Sequence, residues 1–150
     1  ITASHGLVVF TTHDLHLALR LSDRFLTLGS GRICPDLLEN VFEGRCDNGS
    51  FITRRGLRIP LPPGHPAPAR LVTISPGAIR LSRSEIAPGG TNCFAGTIRS
   101  IRAHGEAVWL EVHAGESFTV AMSRSAYEAE QLNLHGTVAV HVSPESIHVV

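Results

Sequence analysis

The spacing of apolar residues along this chain changes near Ile33. Before that point, Gly6-Leu7-Val8-Val9-Phe10 has the unbroken apolar character of a strand buried on both faces. Leu15, Ala18, Leu19 and Ser22 then fall at the i, i+3, i+4, i+7 spacing of a packed helix face. Thr11 or Thr12 is placed to cap that helix, and Asp14 sits favourably near its positive end. Arg24 to Leu28 reads as a second short strand, and Gly29-Ser30-Gly31 as a turn. The first 33 residues are thus predicted as β-α-β.

Beyond Ile33 the apolar runs are short and broken by glycine and proline. The predicted strands are Val41 to Cys46, Ser50 to Thr53, Leu57 to Leu61, Arg70 to Ile74, Cys93 to Ile101, Val108 to Val112, Ser117 to Met122 and Thr137 to Val142. Many short strands with turn signals between them predict a small, mainly β barrel. The proline-dense stretch from Pro60 to Pro68 reads as an extended loop, and Ala87-Pro88-Gly89-Gly90-Thr91 as a linker. One helix interrupts this half. Ser125 and Glu128 have capping-box spacing ahead of Ala129-Glu130-Gln131-Leu132, and Gly136 allows the turn into the last predicted strand.

Two segments repeat in the same order. Asn40-Val41-Phe42-Glu43-Gly44 is echoed by Asn92-Cys93-Phe94-Ala95-Gly96. Ser75-Pro76-Gly77-Ala78-Ile79 is echoed by Ser143-Pro144-Glu145-Ser146-Ile147. An ordered pair of matches indicates an internal repeat, read physically as two half-barrels that bury apolar faces against each other or across a dimer.

Composition narrows the chemistry. The 150 residues have room for one ordinary domain or two small ones. Thirteen arginines balance thirteen acids and there is no lysine, so no basic field for nucleic acid or a polybasic membrane patch is evident. No apolar stretch approaches the ~18 residues of a membrane span, and no signal segment is visible. Cys34, Cys46 and Cys93 form neither a disulfide framework nor a zinc motif. His13 and His16 have no third ligand at suitable spacing, so no metal site is predicted. His104 and His113 read as surface residues and Trp109 as a barrel core residue.

The order of apolar run, Thr11-Thr12-His13-Asp14, helix, short strand and glycine turn resembles the switch-histidine region of ABC-transporter ATPases. The resemblance implies that His13 contacts the γ-phosphate of ATP, bound with magnesium in an intact parent protein. The chain has no Gly-x-x-x-x-Gly-Lys-Ser/Thr phosphate loop, no signature motif and no strand ending in Asp-Glu upstream of His13. It is therefore expected to be the C-terminal part of such an ATPase, inactive alone, and Ile1 in place of Met fits a partial sequence.

The remainder resembles the TOBE domain, the OB-like regulatory module that follows the motor domain in many ABC importer ATPases. Asn92 to Ile98, Val108-Trp109-Leu110-Glu111-Val112, Phe118 to Tyr127 and Ser143 to Val149 look most like the molybdate/tungstate importer subunits. That resemblance implies domains of 1–33 and 40–150, with barrel halves at about 40–82 and 92–150. It also implies a homodimer, permease subunits as partners, and a cytoplasmic protein held at the inner face of the membrane through the permease. The implied oxyanion ligands are Ser123, Arg124 and Ser125 in one segment, and Ser143 to Ser146 in the other. Hydroxyls, backbone N–H groups and one cation suit a tetrahedral dianion.

The second segment departs from the Lys-Ala-Ser common in those subunits. Here Ser143-Pro144-Glu145 loses the cation, adds an anion and removes an N–H, which favours a dimerisation and coupling module over an oxyanion sensor. The alternatives are an importer for iron, sugar or polyamine with a ligand-free TOBE domain, or an OB-fold nucleic-acid module. Eight aromatic residues and zero net charge weigh against nucleic acid.

Overall fold

Pro76 and Pro144 each open a single 3-10 turn, Pro76–Ala78 and Pro144–Ser146. In both, the carbonyl of the preceding serine accepts from a turn N–H, Ser75 from Ala78 and Ser143 from Ser146, at 3.0 Å. Proline suits the first position because its φ is already fixed and its missing N–H would have no partner there. The strand after each turn leaves its own half and joins the other.

The computed structural model describes residues 7–13, 17, 18, 21, 26, 28, 29, 32, 33, 40–64, 69–83 and 92–149. The strands are β1 (Leu28–Gly29), β2 (Arg32–Ile33), β3 (Asn40–Asp47), β4 (Ser50–Thr53), β5 (Arg58–Pro60), β6 (Leu71–Ile74) and β7 (Ile79–Ser82). They continue with β8 (Cys93–His104), β9 (Ala107–His113), β10 (Ser117–Ser123), β11 (Thr137–Val142) and β12 (Ile147–Val149), and a helix at Arg124–Glu130 separates β10 from β11. One sheet has the order β5-β4-β3-β6-β12 and the other β10-β9-β8-β11-β7. These orders correspond strand for strand, with the fifth strand exchanged between halves. The registers match too: Ile79 lies opposite Val142, and its repeat counterpart Ile147 lies opposite Ile74. In the second sheet β7 also lies against β10, so that sheet curls towards a barrel.

Each residue of the repeated Asn-x-Phe-x-Gly motif has a physical task. Phe42 and Phe94 both pack on Phe118, with ring centroids 5.0 and 6.1 Å away. A Cβ on Gly44 would stand 2.0 Å from the Ile52 carbonyl oxygen, and one on Gly96 would stand 2.8 Å from Val112 Cγ1. The strands therefore approach closely where the motif ends. Asn40 and Asn92 are buried, and their amides reach the other half. The β3–β4 loop is the two-residue Asn48-Gly49, both at positive φ as a type I′ hairpin turn requires.

Alternate positions such as Val108, Leu110 and Val112 on β9 point into one hydrophobic cluster that takes residues from both halves. The same period places Trp109 on the outer face, half-buried, rather than in the core as expected. Pro60 is the last residue of β5 rather than loop.

The β-α-β expectation for residues 1–33 does not hold in full. Residues 7–10 form no strand, and Leu7, Val8 and Val9 are more than 80% exposed, with no strand paired to them among the described residues. Leu17, Ala18 and Leu21 are helical, while β1 and β2 pair as an antiparallel hairpin. Asp14, Leu15, His16, Leu19 and Ser22 lie outside the described residues. Among the described residues, no helix is long and apolar enough to cross a membrane.

Candidate functional site

Ser123, Arg124 and Ser125 stand where β10 gives way to the helix. Ser123 is the N-cap, with extended φ and ψ, and its Oγ accepts from the Ala126 N–H at 3.2 Å. The cap therefore lies two residues before the Ser125 that the capping-box spacing suggested. The Ser125 hydroxyl lies 3.0 Å from that of Ser123. Arg124 is tied to the β8–β9 turn twice: its N–H donates to the Glu106 carbonyl at 2.9 Å, and its guanidinium donates to the Gly105 carbonyl at 3.1 Å. All three residues are exposed. A guanidinium has five N–H groups, so Arg124 keeps donors for an anion, while one of the two serine hydroxyls donates to the other. Gly105 and Glu106 had no signal in the sequence, because their role comes from backbone carbonyls nineteen and eighteen positions away.

Ser143 and Ser146 form the second segment. The Ser146 hydroxyl donates to the Ser143 carbonyl at 2.7 Å, closing the turn on itself. Glu145 is exposed on that turn and makes no ion pair among the described residues. Its carboxylate therefore does not sit buried against a neighbouring anion site within the chain.

The strand registers keep the two segments apart. Ser123 pairs with Ala107, and Ala107 with His104, at the end of β8. His141 pairs with Cys93, and the Val142 N–H donates to the Asn92 carbonyl, at the start of β8. The twelve residues of β8 lie between these points, roughly 35 Å of strand at about 3.3 Å per residue. Ser123, Arg124 and Ser125 come together, and so do Ser143 and Ser146. No strand pairing among the described residues brings the two groups side by side.

Among the described residues, two of the clefts lie elsewhere. One, of about 320 Å³, is lined by Arg54, Arg55, Glu43 and Glu116 among others, and its arginines face carboxylates in the pairs Arg54–Glu43 and Arg55–Glu116. The other, of about 130 Å³, includes Arg83, Gln131 and Asn133. Neither takes in the serine segments. His13 is exposed. Among the described residues, no group of three His, Cys, Asp or Glu could hold a metal ion.

Paired OB-like barrels that exchange their last strands define a TOBE-type fold. Among solved structures, the chain is similar to the cytoplasmic molybdate-binding protein ModG in a molybdate-bound crystal form, with a TM-score of 0.58 and 11% identity over 73% of this chain and 94% of that one. No protein-family model matches the sequence. No curated protein matches it either.

Proposed function

We propose that residues 40–149 form a TOBE-type regulatory and dimerisation module that responds to a tetrahedral oxyanion of the molybdate or tungstate kind. The observation that carries this reading is the shared paired-barrel fold, whose neighbour ModG is a molybdate-binding protein. Arg124, Ser123 and Ser125 supply a cation and hydroxyls on one exposed corner, and Ser143 supplies a hydroxyl on another, where the Ser146 hydroxyl is already bonded to the Ser143 carbonyl. Since β8 separates those corners, a site that uses both draws them from different copies of the chain. An exposed Glu145 can turn to solvent.

The wider setting is a proposal of the same kind. The order around His13 supports an ABC importer ATPase as parent, with ATP and magnesium bound by parts of the motor outside this chain. In that setting the module meets permease subunits at the inner face of the membrane. A second reading, a module without ligand, is favoured by one observation: Pro144 offers no N–H in the turn where an oxyanion would be bound. Calorimetric titration of the chain with molybdate, tungstate and sulfate separates the two. Saturable binding of molybdate or tungstate supports the oxyanion module, and no heat with any of the three supports the ligand-free one.

A further inference from the structure

The two barrels are fastened at their edges by equivalent asparagines, and the fastenings are unequal. Asn40, at the start of β3, reaches the outer edge of β10. Its Nδ2 donates to the Thr119 carbonyl at 2.8 Å, and its Oδ1 accepts from the Thr119 N–H at 2.6 Å. Asn92, the counterpart just before β8, reaches the outer edge of β5, where its Nδ2 donates to the Pro60 carbonyl at 3.0 Å.

Pro60 and Thr119 are equivalent positions. On β5, the Leu57 carbonyl accepts from the Thr53 N–H and the Leu61 N–H donates to the Gly49 carbonyl, which puts Ile59 in the inward-bonded register and Pro60 in the outward one. On β10, Ala114 donates to Glu116, which puts Phe118 inward and Thr119 outward. Ile59 and Phe118 are both fully buried. A proline is tolerated at Pro60 because its missing N–H faces away from β4. That missing N–H is the one Asn92 would accept. Asn92 is 3% exposed, and its Oδ1 is buried with no hydrogen-bond partner.

We propose that the Asn92–Pro60 fastening is a built-in weak seam, at which β5 detaches from the start of β8 before β10 detaches from Asn40. The first barrel then opens at one chosen edge while the second stays closed. A buried acceptor without a donor gains by reaching water, so opening this seam recovers a loss that opening the other does not.

Once freed from Asn92, β5 is held by β4 alone and frays from it, so amide hydrogen exchange on the full chain tests this at Ile59 and Leu61, which face β4, and at Phe118 and Val120, which face β9. The β5 amides are expected to exchange faster. Pro60→Thr restores the N–H and should slow Ile59 and Leu61 by about fivefold, the effect of one net hydrogen bond, and leave Phe118 and Val120 unchanged. The gain should vanish when Asn92→Gly is added, a change that the positive φ of 58° at Asn92 permits. Equal exchange at the two edges of the unaltered chain would overturn the proposal. So would slowing by Pro60→Thr that persists without the Asn92 side chain, or no slowing at all, as when a buried water already serves Oδ1.

Discussion

Asn40 holds Thr119 by both of its backbone groups, and the two residues lie 79 positions apart. A third bond runs from the same amide to the Ile74 carbonyl at 3.1 Å. One side chain thus joins β3, β6 and the far edge of β10. Asn40→Ala removes all three bonds and leaves the Thr119 N–H and carbonyl without their partner. The expected loss is about 2–4 kcal/mol, larger than for an ordinary hydrogen bond because buried groups are orphaned. Urea denaturation measures it, and a loss below about 1 kcal/mol would show that water replaces the amide.

Phe118 is the shared floor of both repeat phenylalanines, and it is fully buried. Phe118→Ala should cost about 3–5 kcal/mol, as the removed ring leaves a cavity at the junction of the halves. Phe94→Ala should cost less, because Phe94 is only half-buried. Equal losses for the two variants in thermal melts would contradict this placement.

Gly44 and Gly96 make an internal comparison. At Gly44 the added methyl meets a backbone carbonyl at 2.0 Å, which cannot move without pulling β4 away. At Gly96 it meets the Val112 Cγ1 at 2.8 Å, the Ala114 Cβ at 3.0 Å and the His113 carbonyl oxygen at 3.2 Å, contacts less severe than the 2.0 Å approach at Gly44. Gly44→Ala is expected to lose about 2–3 kcal/mol or fail to fold, and Gly96→Ala about 1–2 kcal/mol. The reverse order of stability would mean that the strands are not held this closely.

Much of the second region was legible from alternation and turn chemistry. Ser50–Thr53 and Thr137–Val142 have the bounds that the apolar runs predict, since a glycine precedes each. The Ser-Pro repeats announced two related halves, yet nothing local in Ile79–Ser82 or Ile147–Val149 says that each strand crosses to the other half's sheet. That is decided by pairing with β11 and β6. Period-two alternation on β9 could have placed Trp109 outside, because Val108, Leu110 and Val112 take the inner face. The serine segments were legible as residue types only. Their separation comes from the register of β8, which no spacing in the sequence records. The apolar run Leu7 to Phe10 misled because strand-like composition is no strand without a neighbour to pair with.

Under the proposed ABC parentage, ATP hydrolysis by this chain alone is not expected. Phosphoryl transfer needs a phosphate cradle, magnesium ligands and a positioned water, and the chain has neither the phosphate loop nor any lysine. ATP turnover by the purified chain should be indistinguishable from background. Steady turnover that His13→Ala abolishes would contradict the assignment of His13 to a larger motor.

An oxyanion-responsive module shared between copies must bind its ligand as an assembly, so titration of the full chain with molybdate, read by calorimetry and sedimentation together, is the decisive measurement. Saturable binding of molybdate and tungstate by a dimer or larger species is expected, with Arg124→Ala weakening it at least about tenfold, or ~1.4 kcal/mol. Absence of binding, or binding by a monomer that is indifferent to Arg124→Ala, would contradict the proposed module.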